Sequence, residues 1–543
     1  AACDLTSGER NILIGNAVQA ASNTGDDQFF IGCCSSSWIS GNSSFNVTLA
    51  GIATVYSATG IVSATKFCGD GSCLTGISAG GFSQDDDGNM IAGTCAGIAI
   101  TTASTSACFN VLIGCNTGCK ICSGDKNIAI GLNAGRQVTT GSNNIFIGDC
   151  AGCKVTTASD NTIIGCRAGN KIDTGYNNLI LGGESGAYIC GGGTNVILGE
   201  CGGAGVTDGS GNILLGQRTM QYANGSCNIM IGKNAGQSGT GIDCSIFIGV
   251  TAGKCKTGKG SIALGKDALK GGSSTPSDNC GCYNLALGVH ALKGNTTGGC
   301  NVAIGYNAGC NQTGAYNTIA IGRCAFRGVA TGCDNIILGY TAGQYITSGK
   351  VNIAIGTCAL GACTLTGEHN IAIGWKAAKG ITSSEENIFI GKYAGVNNVI
   401  TGSRNTVIGS GAGGKITSGS FNVYLGRSAG TNSCTGCFNV MIGCLVDPPV
   451  VEGNCQLAIG KATCHWIDGD TNFNVGIGTT TPSEKLHVDG SIHAERFFQN
   501  PTSLAVNTTF PSSGTKNGGV FGPYTVASGV TLTISSGSTF TII

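Results

Sequence analysis

Four stretches decide the fold: NVLIG (Asn110 to Gly114), NIAIG (Asn127 to Gly131), NIFIG (Asn144 to Gly148) and NTIIG (Asn161 to Gly165). Each closes on a glycine 17 residues after the previous one, and the series runs on to NVGIG (Asn474 to Gly478), making 22 units. The spacing stays at 16 to 18 residues except for one step of 23, which holds an insert around Gly271 to Asp278. Two further units close at Gly15 and Gly32, and an outlying one at Gly93. Such a unit is too short for two packed helices. A short apolar strand followed by glycine turns reads as one coil of a β-solenoid. Coils stacked by strand pairing at ~4.8 Å make a rod on the order of 100 Å long. The expected fold is all-β, a β-solenoid of 17-residue coils with a small C-terminal β cap.

Each column of the repeat has a physical role. The residue before the closing glycine is Ile or Leu in all 22 units (Ile113, Ile130, Leu181), and three before it stands Ile, Val, Leu or Thr. These two positions share a strand face and are expected to fill the coil. The closing glycine is expected to supply a backbone conformation that other residues resist. Four before it stands Asn in 18 units, with Ser245, Ser261, Thr318 and Gln456 as exceptions. Stacked Asn side chains are expected to bond in a ladder along the rod. The remaining strand position, two before the glycine, is expected to face outward, yet it is apolar: Leu112, Phe146, Ile163, Ile180, Ile197, Leu214, then Met230, Phe247, Ile337, Phe389, Tyr424 and Met441. An outer apolar stripe needs cover. These twelve residues are therefore the candidates for an oligomer interface, with a parallel homotrimeric fibre as the expectation and a flattened single-chain solenoid as its rival.

Composition narrows function. Lys+Arg 29 balances Asp+Glu 29, which leaves no basic footprint for nucleic acid. No apolar run reaches the ~18 residues of a membrane span. The chain opens on Ala with no charged-then-apolar leader, which suggests a processed chain or a fragment. All 31 cysteines lie between Cys3 and Cys464, a density that suits an oxidising, extracellular setting. Cys227 with Cys244, Cys282 with Cys300, and Cys437 with Cys455 are 17 or 18 residues apart, so disulfides between adjacent coils are expected there. The C-x-x-C pairs Cys119/Cys122, Cys150/Cys153 and Cys434/Cys437 fall on repeat turns without paired His, so a zinc or redox role is not adopted. The five His residues lie outside any metalloprotease or triad pattern, and Asp and Glu show no paired spacing. No catalytic, cofactor or metal residue is assigned. The acidic turn Asp85, Asp86 and Asp87 reads as a solvated turn rather than a Ca²⁺ loop. Of six N-x-S/T sequons (Asn42, Asn46, Asn224, Asn295, Asn311, Asn507), several arise from the Asn/Thr-rich composition alone.

The chain divides into solenoid coils at 1–43, a β connector at 44–88, the main solenoid at 89–478, a joint at 479–500 and a C-terminal β-strand cap at 501–543. The joint VGIGTTTPSEKLHVDGSIHAERF (Val475 to Phe497) resembles one near the C-terminus of many phage tail-fibre and tail-spike-like proteins. SATKFCGDGSCLTGI (Ser63 to Ile77) resembles a module of virion structural proteins of marine cyanobacterial phages, and the ending GPYTVASGVTLTISSGSTFTII (Gly522 to Ile543) resembles their C-termini. The NIAIG repeat is similar to the β-roll heads of trimeric autotransporter adhesins. These resemblances imply a non-enzymatic virion tail fibre or appendage for host-surface attachment. Its implied partners are copies of itself, other virion or surface structural proteins, and a cell-surface glycan or protein receptor. Its implied location is the virion or the extracellular surface. The alternatives are a cellular adhesin or filament subunit, and a polysaccharide-cleaving tail spike.

Overall fold

The computed structural model describes residues 83–102, 106–272, 281–361, 363–396 and 399–492, with the backbone of short strands between 12 and 64 and between 503 and 534. The chain forms two compact units, Ala1–Gly81 and Phe82–Ile543.

The second unit is a β-solenoid. From Met90–Ala92 to Leu457–Lys461, 22 short strands follow one another, most of three residues. Each pairs in parallel with the next, in register, so that Ile128 faces Ile145 and Ile145 faces Thr162. The Gly93 unit is thus the first coil, and the insert at 273–280 lies outside the described residues. Backbone bonds run both ways between coils: Ile128 N donates to Asn144 O at 2.8 Å, and Gly148 N donates to Ile130 O at 2.8 Å.

The coil interior reverses the expectation from sequence. The middle strand residue points inward: Leu112, Phe146, Ile163, Ile180, Ile197 and Leu214 are fully buried within the chain's own coils. So are Met230, Phe247, Ile337, Phe389, Tyr424 and Met441. All twelve interface candidates are core residues of a single chain. The two flanking strand positions, expected inside, face outward and are half-buried. The reason is geometric. A strand alternates faces, and in a three-residue strand only the central residue and the two residues beyond its ends share the inner side. Those inner ends are the ladder Asn and the closing glycine. At Gly339 φ is +135°, and a Cβ would sit 2.7 Å from the carbonyl of Gly356 in the next coil.

Size is balanced across the coil. Phe146, Phe247 and Phe389 each face a glycine six residues later, Gly152, Gly253 and Gly395, where any Cβ would strike the ring. Ala263, Ala286, Ala320 and Ala354 instead match Leu269, Leu292, Phe326 and Leu360, all buried. A few coils also enclose polar side chains, among them Asn295, Gln312 and Ser433. Lys256 is fully buried, and its Nζ donates to Asn295 Oδ1 at 2.8 Å.

The Asn ladder forms as expected. Asn178 accepts at Oδ1 from both the backbone N (3.0 Å) and Nδ2 (2.9 Å) of Asn195, and its own Nδ2 donates to Asn161 Oδ1 and Gly192 O. Each such Nδ2 bond also ties the rung to the turn that leads into the next coil's ladder residue. The acidic turn starts the ladder. Asp85 accepts from Asn89 N at 2.7 Å and Nδ2 at 2.9 Å, taking the place of a missing rung. Both carboxylate oxygens are thereby engaged. Gln456 ends the ladder: its backbone N donates to Asn439 Oδ1, while its side chain folds back onto Val450. Asn178→Ala strands the buried donors of Asn195, each costing ~1–3 kcal/mol. Hydrogen exchange should accelerate at the Asn195 amide and stay unchanged ten coils away, since solenoid coils couple mainly to neighbours.

The stack stops within the expected solenoid span. Cys464–Gly469 pairs antiparallel with Leu457–Lys461, with a bulge at Ile459/Gly460, and Val475–Ile477 pairs antiparallel with it in turn. NVGIG at 474–478 therefore belongs to a terminating meander rather than to a coil. The first unit repeats this device. Ile12–Asn16 and Phe29–Cys33 form a parallel pair with Gly15 facing Gly32, as the 17-residue spacing implied. Ser36–Gly41 then turns back with the same register and the same bulge, at Ile31/Gly32. The sequences agree as well: FFIGCCSSSWISGNSSFNV (Phe29 to Val47) matches LAIGKATCHWIDGDTNFNV (Leu457 to Val475) at Ile, Gly, Trp, Ile, Gly, Phe, Asn and Val. Near the C-terminus, Ser503–Leu504 pairs with Thr525–Val526 and Thr508–Phe510 with Leu532–Ile534, all in parallel. Within the expected joint, Leu486–Val488 pairs in parallel with Val475–Ile477; residues 493–500 and the rest of the expected cap lie outside the described residues.

Candidate binding surfaces

Two outer surfaces stand out. The first consists of the flanking strand columns, Val111 and Ile113 in one coil, Ile128 and Ile130 in the next, and so on along the stack. They are half-buried by their neighbours and reach 43% exposure at Leu425. A double row made mostly of Ile, Leu and Val, interrupted by Thr162 and Thr406, lies on an outer sheet face and is the apolar surface that the sequence pattern assigns to the middle column.

The second surface follows the closing glycine on one side of the later coils. Residues 281–446 hold ten Lys and Arg against four acidic residues, in a chain that is neutral overall. Those acidic residues, Asp334, Glu368, Glu385 and Glu386, all lie one or two positions before the ladder residue, at the opposite corner of the strand. Two of them are paired there: Lys350 with Glu368 at 3.6 Å, and Arg404 with Glu386 at 3.0 Å. The face after the glycine is left with cations alone.

Aromatic rings interleave with those cations. Tyr306, Arg323 and Tyr340 hold the same position in three successive coils, and the guanidinium lies 5.8 Å from both ring centroids. Farther along, Trp375 and Tyr393 lie 4.8 Å apart, with Lys376 and Lys392 Nζ within 5.1 and 4.9 Å of the Trp375 ring. Tyr306, Tyr340 and Trp375 stay 47%, 49% and 42% exposed. At the lower end Asp267 closes the stripe, in contact with Lys270, Lys293 and His290. Burial works against its charge, but the Thr251 hydroxyl and the two lysines hold its carboxyl below the usual range.

Among the described residues the cysteines form no bridges, and all 25 are free thiols. Cys227 and Cys244 do stack, at the left-handed corner before the ladder residue. The other two pairs are one column out of step. Cys300 N donates to Cys282 O, and Cys455 N to Cys437 O, both at 2.9 Å, so residues of different columns face each other. Cys150 is pushed up to about 11, by burial first and by its hydrogen bond with Asp149 next. A thiol held protonated in this way is a poor nucleophile or metal ligand. Among the described residues no three His, Cys, Asp or Glu converge on one point. The sequon Asn295 is buried in the coil, whereas Asn224 is exposed.

Fold and surfaces together define a β-solenoid repeat protein with two long outer faces, one apolar and one cationic–aromatic. Comparison with family models, curated proteins and solved structures returns no match to the chain.

Proposed function

We propose that this protein is a non-enzymatic structural fibre that presents an attachment surface, of the virion tail-fibre or appendage kind that its joints resemble. The observation that carries this reading is the uninterrupted run of 22 in-register strands, tied by a buried Asn ladder and bounded by the same strand reversal found in the first unit. Hydrogen-bonded coils of this kind resist bending and suit a load-bearing element. The outer double row of Ile, Leu and Val takes over the covering role first given to the middle column. Over 22 coils it offers well beyond the ~800 Å² per partner of a standard interface. Copies of the chain are its natural cover, since every copy has the same spacing, and three parallel chains remain the expected assembly. Electron micrographs of the purified chain should show rods whose solenoid part is on the order of 100 Å. Sedimentation should give a small, fixed number of chains per rod. A monodisperse monomer at micromolar concentration contradicts the assembly, and compact particles contradict the fibre.

A further inference from the structure

We infer that the cationic–aromatic stripe from Tyr306 to Lys392 is a binding site for a linear anionic polysaccharide lying along the stack. The inference rests on reading the stack as an attachment fibre, and it names the ligand class of that attachment. Three observations carry it. First, the charge is segregated: the ten cations of residues 281–446 outnumber their acids, and no acid lies on this face between Gly288 and Arg427. In a neutral chain such a face is a local attractor for a polyanion rather than a solvated average. Second, the rings are exposed and lie in a line. Tyr306 and Tyr340 are two coils apart and Trp375 is two coils farther on, so ring faces recur every ~10 Å at the strand spacing. A glycan whose repeating unit is a disaccharide presents an apolar ring face at a comparable interval. Third, three of the cations sit against rings, with Arg323 between Tyr306 and Tyr340, and Lys376 and Lys392 beside Trp375. The aromatic contact holds the cation in place while leaving its N–H groups to donate to a carboxylate or sulfate.

A single-stranded nucleic acid also uses cations and rings. It is disfavoured because its successive bases stack on closely spaced rings, whereas the rings here recur only every two coils, ~10 Å apart.

The test is binding of the full chain to polygalacturonate, with dextran of similar length and an oligothymidylate as comparisons. Polygalacturonate should bind, dextran should bind at least tenfold more weakly, and moderate salt should lower the polygalacturonate affinity. The triple variant R323Q/K376Q/K392Q should lose about tenfold or more. Trp375→Ala should lose several-fold at high salt as well, where stacking remains. K126Q/R167Q/K171Q, which removes three cations from the early coils, should bind as the parent does. Circular dichroism melts verify that each variant is folded, and the triple variant, which alters only surface groups, carries the test if Trp375→Ala misfolds. Absence of polygalacturonate binding at millimolar concentration, parent-like binding by the triple variant, or tighter binding of oligothymidylate would overturn the inference. Rod length in micrographs is read separately, so a failed glycan site and a failed fibre are told apart.

Discussion

Ile163→Asp is expected to unfold the coils around it, while Ile164→Asp leaves them standing. The two residues are neighbours in one strand and nearly identical in chemistry. Ile163 is fully buried inside the coil, and Ile164 is half-buried on the outer face. A carboxylate at 163 lies among Phe146, Ile180 and Ile172 with no partner, which costs several kcal/mol through desolvation or forced protonation. Because coils couple to their neighbours, the damage is local. It should appear as a new protease-sensitive site near residue 163 and fast amide exchange over about three coils. At 164 the carboxylate reaches water, and the monomer should lose no more than about 1 kcal/mol. If the outer columns bind other copies, Ile164→Asp weakens that assembly instead. Substitutions with the opposite ranking would restore the middle column to the outside.

The second large effect is a size exchange. Phe326 is buried in the same coil as Ala320, and it occupies the place where Phe146, Phe247 and Phe389 face a glycine. Phe326→Gly should cost roughly 3 kcal/mol from the cavity left behind. Part of the loss is offset because Phe326 has φ of +49°, a conformation glycine adopts freely. Ala320→Phe alone should be at least as damaging, since Phe326 already fills the space. The double variant A320F/F326G recreates the Phe146/Gly152 arrangement and should recover most of both losses. Thermal melts of the four proteins give the coupling energy, expected at more than about 2 kcal/mol in favour of the pair. Additive losses would show that the two positions do not share one cavity.

Repeat length, strand position and the Asn ladder were legible because each rests on strict periodicity. The choice of inner face was not. Strands such as Ile145-Phe146-Ile147 are apolar at all three positions, so alternation carries no contrast between core and solvent, and a one-residue slip exchanges the faces. The signal that decides it was present in a different pairing. Phe146, Phe247 and Phe389 go with Gly six residues later, whereas Ala263, Ala286, Ala320 and Ala354 go with Leu or Phe there, a compensation that a shared cavity explains. The solenoid's end was missed because NVGIG at 474–478 keeps the motif while its strand turns antiparallel. Its likeness to Phe29 to Val47 is the clue in the sequence itself. The cationic face escaped notice because a net charge of zero hides segregation that emerges only after residues are sorted by column. Of the three cysteine pairs named from their spacing, the pair 17 apart stacks in register and the two pairs 18 apart are offset by one column.

The most direct test of the inner and outer assignment is hydroxyl-radical footprinting of the native chain, read residue by residue by mass spectrometry. Met230, Met441, Phe146, Phe247 and Phe389 lie inside, whereas Phe109, Tyr283, Phe421, Phe438 and Trp375 lie outside. The outer group should oxidise readily and the inner group should stay protected, in dilute single chains as well as in any assembly. Oxidation of Met230, Met441 and the three inner Phe in dilute chains, with protection returning only on assembly, would contradict the enclosed coil and return those residues to an interface.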